Sequence, residues 1–394
     1  MRTAKFLCAL AVVGVFASMV MAFSRWNEHR GIYDDVCYFR QSHLFQKYGP
    51  INGLDTDLLT ETDGYLRSKL QEISYPYIDD LNNQPCHHLM PATGKMVMQY
   101  PPGTGYLLAI FPEGNQAVPL FFACTTALGI FAIFMIALAP TPALLAVSTF
   151  FGGASLYLMN NPVKSSYSLA PTVVICAVCG LLTAAWFRAR TPRLRLLLVF
   201  AIGASLGASV NLRIANGLLA MAYGVALLGI FLARRRPLPF FEGAVFALGT
   251  LIAMLPTLAA NHINAGSIFT FLYDAHDNTP PDFSAPALFA NLRLYIQGTQ
   301  GLLILTALLS GALACTSDDH RLRQTAMLAL GGLIVPLVYF LSHVIFTPYY
   351  MVPAAILCLW TLMCGYFASS LVRQHTVMST GAFNPTQVTV KIHH

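Results

Sequence analysis

The chain has 394 residues, of which 56% are hydrophobic and only 10% charged, with a formal net charge of +6. That composition excludes a water-soluble globule, which needs more polar surface to cover its apolar segments. A mean hydropathy of +0.59 points instead to an all-α polytopic membrane protein, because a chain in hydrocarbon must satisfy its backbone within each spanning helix of about 20 residues.

Ten spans are predicted in chain order, near 5–23, 117–138, 143–160, 168–187, 196–212, 214–232, 240–260, 299–315, 325–345 and 351–369. The first follows Arg2 and Lys5 as a signal peptide would. Its apolar run is too long for a signal core, however, and Met19-Val20-Met21-Ala22-Phe23 makes a poor cleavage site, so a retained span is expected. A long polar stretch, 24–116, comes next. It opens on Tyr33-Asp34-Asp35-Val36-Cys37-Tyr38 and turns back to the membrane through Tyr100-Pro101-Pro102-Gly103-Thr104-Gly105. Val36, Phe39, Leu44 and Tyr48 roughly follow helical spacing. They predict an amphipathic helix over 34–48 that lies along the membrane surface and ends at Gly49-Pro50. Asp34 and Asp35 fall in its first turn, where the helix dipole favours carboxylates. An acidic pair held just outside a bilayer is where a base would serve a substrate reacting at headgroup level.

Cys37 and Cys86 share this loop, and an oxidising compartment would permit a disulfide, though the sequence leaves the pairing open. The other seven cysteines lie in or beside spans, where a thiol behaves as a small apolar group. Further along, the spans 196–212 and 214–232 are short and meet at Asn211-Leu212-Arg213, which leaves a tilted or re-entrant hairpin open. A second polar stretch, 261–298, carries Asp274, His276 and Asp277. Neither that cluster nor His87-His88 has the spacing of a closed zinc site. A third outer segment is the short Thr347-Pro348-Tyr349-Tyr350. The expected organisation is one transmembrane domain, 1–370, and a polar tail, 371–394.

Basic residues of short loops are retained on the cytoplasmic side. With the N-terminus inside, that side holds Arg2, Lys5, Arg188, Arg190, Arg193, Arg195, Arg234, Arg235, Arg236, Arg321, Arg323, Arg373 and Lys391. Among acids only Glu242, Asp318 and Asp319 fall there. Both termini are therefore expected to be cytoplasmic, the positive charge reflects topology, and nothing reads as nucleic-acid binding.

Several pieces together resemble the GT-C glycosyltransferases, specifically bacterial relatives of protein O-mannosyltransferases and lipid A aminoarabinose transferases. They are Tyr33-Asp34-Asp35 with its helix, Tyr100-Pro101-Pro102-Gly103, Ser165-Ser166-Tyr167-Ser168 and Gly203…Gly207…Asn211-Leu212-Arg213…Gly217. Asn261…Gly266-Ser267-Ile268-Phe269…Tyr273 and Pro348-Tyr349-Tyr350-Met351-Val352-Pro353 complete the set. The resemblance implies a multi-pass protein of the bacterial inner membrane whose 24–116 loop is periplasmic and carries surface helices. It also implies an inverting transfer of a sugar from a polyprenyl-phosphate donor to a hydroxyl of a glycan, lipid or protein acceptor at the outer face.

By position, the implied base is Asp34 or Asp35, with Asp34 slightly favoured. The outward cations nearest spans, Lys164, Arg213 and Arg293, are candidates for the lipid phosphate, although snorkelling cations have the same placement. Tyr33, Tyr75, Tyr77, Tyr100, Tyr349 and Tyr350 are candidates to stack on sugar or to mark the interfacial belt, and Asp274 and His276 are further candidates for the substrate site. No cofactor is required, and a divalent metal aiding phosphate departure stays open. The competing readings are a transporter or lipid-carrier flippase and a noncatalytic scaffold. A transporter needs ionisable groups deep in its spans, and mid-span positions here are nearly free of charge.

The topology has a direct test. A membrane-impermeant thiol reagent added from the periplasmic side should label a cysteine placed near Asp57 and leave one near Arg235 unlabelled; the reverse pattern would invert the assignment.

Overall fold

Nine helices among the described residues are long and apolar enough to cross a membrane. They are α1 (Arg2–Phe23), α5 (Ala117–Leu138), α6 (Pro142–Met159), α7 (Leu169–Arg188), α8 (Pro192–Leu212), α9 (Gly217–Arg234), α10 (Pro237–Ala265), α13 (His320–Ser342) and α14 (Val352–Gly381). A tenth, α12 (Thr299–Cys315), follows α11 (Ala285–Gln297) across a bend of 96°. The computed structural model describes residues 1–26, 33–160, 166–273, 280–343 and 348–381, with backbone alone at 299, 348 and 372–381. The chain is thus an all-α polytopic membrane protein. The stretch 196–232 forms two full helices joined by a 3-10 turn, Ile214–Asn216, rather than a re-entrant hairpin. At the other end α14 continues through Gly381, past the expected start of the tail at 371.

Helix starts follow local chemistry. Thr141, Thr191 and Asp319 accept the N–H of Leu144, Leu194 and Leu322 respectively, and Pro142, Pro192 and Pro237 occupy first turns, where the missing N–H costs nothing. Within the bundle α14 is the most enclosed helix, packed by α7, α12 and α13. The closest pairing is α8 with α10. Side chains at Gly203 and Gly207 would collide with the carbonyl oxygens of Phe246 and Thr250, so these glycines let the two backbones touch. Lipid offers no hydrophobic drive between helices, and such close approach is what holds them.

One polar insertion adds to this seam. The Asn211 side chain accepts from Thr257 N at 3.1 Å and donates to Ala253 O at 2.6 Å, bridging the turn of α10 that contains Pro256. Proline lacks an N–H and disturbs the helical ladder around it, and the amide supplies partners there.

The long segment between α1 and α5 folds as a cap. It contains α2 (Tyr33–Asn52), α3 (Tyr65–Glu72), a hairpin of β1 (His87–Met90) and β2 (Lys95–Met98), and α4 (Gly103–Ala109). Gly49, at φ 82°, breaks α2 where Gly49-Pro50 was expected to end it. The expectation of a surface-lying amphipathic helix is corrected: every residue from Asp35 to Ser42 is buried. The cause is Arg40, which is 1% exposed. Its guanidinium donates to Glu61 Oε2 at 2.6 Å, to Thr56 O at 3.0 Å and to His87 Nε2 at 3.1 Å, drawing the rest of the loop around α2. Cys37 and Cys86 form a disulfide on the same side.

The cap is fastened to α10 by Asn264, whose side chain accepts from Thr56 N and donates to Leu54 O. Lys95 pairs with Asp55 and reaches Ile263 O.

His87 is accordingly a structural group. Its Nδ1–H donates to Pro85 O at 2.7 Å and Nε2 accepts from Arg40, so the ring is neutral. Burial, with Arg40 beside it, lowers its pKa from 6.5 to about 3. Between those values the unfolded chain binds the extra proton, so the cap should lose stability as pH falls through that window. Hydrogen exchange on the 33–111 segment should show protection declining below pH 6.5, and His87→Gln should flatten that dependence; an unchanged pH profile in the variant would remove His87 from the network.

Candidate functional site

α2 presents its two carboxylates differently. Asp35 is buried, whereas Asp34 is exposed at the open end of the helix. Tyr100 lies beside Asp34, whose charge acts on its hydroxyl. The Tyr100 ring stacks on Tyr38 at 4.9 Å and meets Tyr273 edge-on at 6.3 Å. Tyr38 lies beside Ser168, the residue preceding α7. On the far side the Arg213 guanidinium lies over the Tyr350 ring at 5.4 Å, and Phe340 stacks on that ring at 5.3 Å.

These contacts gather side chains from separate segments singled out in the sequence. Asp34 and Tyr38 come from α2, Tyr100 from the approach to α4, and Ser168 from the start of α7. Arg213 comes from the α8–α9 junction, Tyr273 from the segment after α10, and Tyr350 from the entry to α14. Charge couples them: Asp34 and Arg213 both act on Tyr38 and on Tyr273. Burial raises the pKa of Tyr38, Tyr100 and Tyr273, with Asp34 adding to each, so all three rings carry neutral hydroxyls across the physiological range. Among the described residues Arg213 pairs with no carboxylate. A half-buried cation, neutral hydroxyls and one open carboxylate suit an anionic ligand with a hydroxyl-bearing neighbour.

Small residues make the arrangement fit. A Cβ at Gly103 would come within 2.6 Å of Asn211 O, and one at Gly105 within 2.6 Å of Gln41 Cγ. Gln41 in turn donates to Tyr100 O, and Thr104 to Leu212 O. The Pro-Pro-Gly-Thr-Gly run is therefore a wedge joining α2 to the end of α8 beside Arg213.

The remaining candidates are spread out. Tyr33 is exposed and packs edge-on against Tyr75 at 4.8 Å, outside the cluster. Tyr349 is buried and donates to Leu158 O at 2.6 Å, anchoring α14 to α6; its neighbour Tyr350 is the ring beside Arg213. Arg293 is exposed on α11 and forms no ion pair among the described residues. Lys164, Asp274, His276 and Asp277 lie outside the described residues. Among the described residues no three His, Cys, Asp or Glu side chains converge as a metal site. Sequence reasoning singled out Tyr350 together with Tyr349 but passed over Tyr38, Ser168 and Tyr273 as members of one cluster, although each stood in a quoted motif.

Compared with known proteins, the chain matches no family model, no curated protein and no solved structure.

The wedge generates a prediction. Gly103→Val should drive α4 away from α8, and overpacking of this kind costs about 1–3 kcal/mol. A lowered thermal midpoint of the purified protein is expected; a wild-type midpoint would show that the α4–α8 contact does not hold the cleft together.

Proposed function

We propose that the chain is a membrane-embedded inverting glycosyltransferase of the GT-C kind, moving a sugar from a polyprenyl-phosphate donor to an acceptor hydroxyl at the outer face of a bacterial inner membrane. The observation that carries this reading is an exposed carboxylate, Asp34, and a cation, Arg213, that pairs with no carboxylate among the described residues, both set around Tyr38, Tyr100, Tyr273 and Tyr350.

In this reading the Asp34 carboxylate takes the proton of the acceptor hydroxyl. The freed oxygen attacks the anomeric carbon, and the bond from that carbon to the phosphate oxygen breaks with inversion. The leaving polyprenyl phosphate keeps the electron pair, and Arg213 with the neutral tyrosine hydroxyls stabilises its charge. Asp35, sealed below, acts on Tyr38 electrostatically and belongs to the support of the site. No step needs a metal. Transport is the weaker reading, because the one carboxylate buried within a span among the described residues is Glu242. It sits near the start of α10, bound by Arg195 Nε at 2.7 Å and Trp186 Nε1 at 3.0 Å, which leaves no carboxylate path through the bundle.

Sugar transfer from a polyprenyl-phosphate donor by purified wild type, Asp34→Asn, Asp35→Asn and Arg213→Ala is the test. Asp34→Asn should lower turnover by on the order of 10²–10⁴ with donor binding kept, the usual contribution of a positioned base. Arg213→Ala should weaken donor binding without unfolding the protein. Wild-type rates in both carboxylate variants, or a product that retains the donor's anomeric configuration, would reject the mechanism.

A further inference from the structure

α11 stands apart from every other long apolar element, since it turns 96° from α12. If α12 is the crossing segment, a bend of 96° brings α11 close to the plane of the membrane. Its two sides differ. Asn291 donates to Leu341 O and His343 O, both at 2.9 Å, and Tyr295 is 2% exposed. Those residues face the protein, and Tyr295 lies near enough to Tyr350 to feel it electrostatically.

Phe289, Leu292 and Ile296 follow at spacings of three and four, and they are 72%, 41% and 68% exposed. Arg293, also exposed, falls on the flank of that stripe, four residues after Phe289 and three before Ile296. No described residue covers the stripe or pairs with Arg293.

An in-plane helix with an aromatic and aliphatic stripe and a cation on its flank has the chemistry of an interfacial anchor for anionic lipid. The apolar residues reach the upper acyl chains while the guanidinium stays at the depth of the phosphates. We propose that α11 docks onto the adjacent leaflet and that Arg293 selects a phospholipid of net negative headgroup charge there. The charge of Arg293 and the bend at Gly298 fix the occupant as lipid lying beside the helix. This inference is independent of the Asp34 chemistry, but it gives α11 a position between that lipid and the Tyr350 wall of the cleft.

The test uses the full chain with Phe289→Trp, reconstituted in phospholipid vesicles and compared with wild type, which carries three tryptophans. The added indole emission should be quenched by lipids brominated near the headgroup end of the chain more than by those brominated near the methyl end, and shielded from aqueous acrylamide. In phosphatidylcholine vesicles containing a minority of brominated phosphatidylglycerol, quenching should indicate enrichment of the anionic lipid on the order of fivefold, the effect of one cation near a membrane surface. Adding Arg293→Gln should return quenching to the bulk lipid ratio, and Arg293→Lys should keep most of the enrichment. Acrylamide quenching without bromolipid quenching would overturn the in-plane assignment, as would protection from both, which would mean that protein covers the stripe. Enrichment unchanged by Arg293→Gln would overturn the role of Arg293. None of these readouts involves sugar transfer, so their failure and failure of the glycosyltransferase reading are separable.

Discussion

The cap half of this molecule depends on a charge placed where charge is costly. Removing a guanidinium from water is tolerated only when its donors are answered, and Arg40 answers them with three different segments: the Glu61 turn, the Thr56 backbone and the His87 strand. The buried cation thereby ties together segments whose own apolar clusters, such as Val36 with Leu66 and Leu70, are small. Taking away Glu61 would leave the charge uncompensated, and taking away the His87 acceptor would leave one of its donors unanswered; either is more damaging than never having the cation. The orientation of α2 follows from this, and with it the direction in which Asp34 and Asp35 point.

The cleft is built on the opposite electrostatic logic. Its tyrosines are held neutral by burial while Asp34 remains open and Arg213 is half-buried and, among the described residues, paired with no carboxylate. The two charges are separated by rings instead of being joined in an ion pair. A paired Asp and Arg would neutralise each other; kept apart, both stay available to a ligand that bridges them. The covalent Cys37–Cys86 link lies one turn of α2 from this carboxylate, so the redox state of the compartment bears on the site's geometry.

The spanning helices were legible because hydrocarbon imposes a length and a composition that a single sequence displays openly. Even the doubtful pair around Asn211-Leu212-Arg213 follows from that rule, with two full helices on either side of a short turn. The cap was harder. Val36, Arg40 and Leu44 recur every four residues, so Arg40 stood in the apolar stripe of α2, but spacing does not tell a buried cation from one at the edge of a surface helix. The four-residue strands of the hairpin are too short for period-two alternation to stand out. Arg213 could be singled out as the cation at a helix junction. Choosing Tyr350 over Tyr349 required knowing which way a helix entrance rotates, and adjacent residues on a helix differ by about 100°.

Asn211 has a reach beyond its own seam. Its amide grips α10 on both sides of Pro256, its carbonyl faces the Gly103 wedge, and the next residue but one is Arg213. Above Pro256, α10 also carries Asn264 and the Ile263 carbonyl, to which the cap is fastened. The far end of α10, the cap and the turn bearing Arg213 consequently form one mechanical unit with its pivot at the proline. A bend of α10 there would move the carboxylate-bearing helix and the cation's own anchor together, which ties the spacing between the two charges to the shape of a single helix.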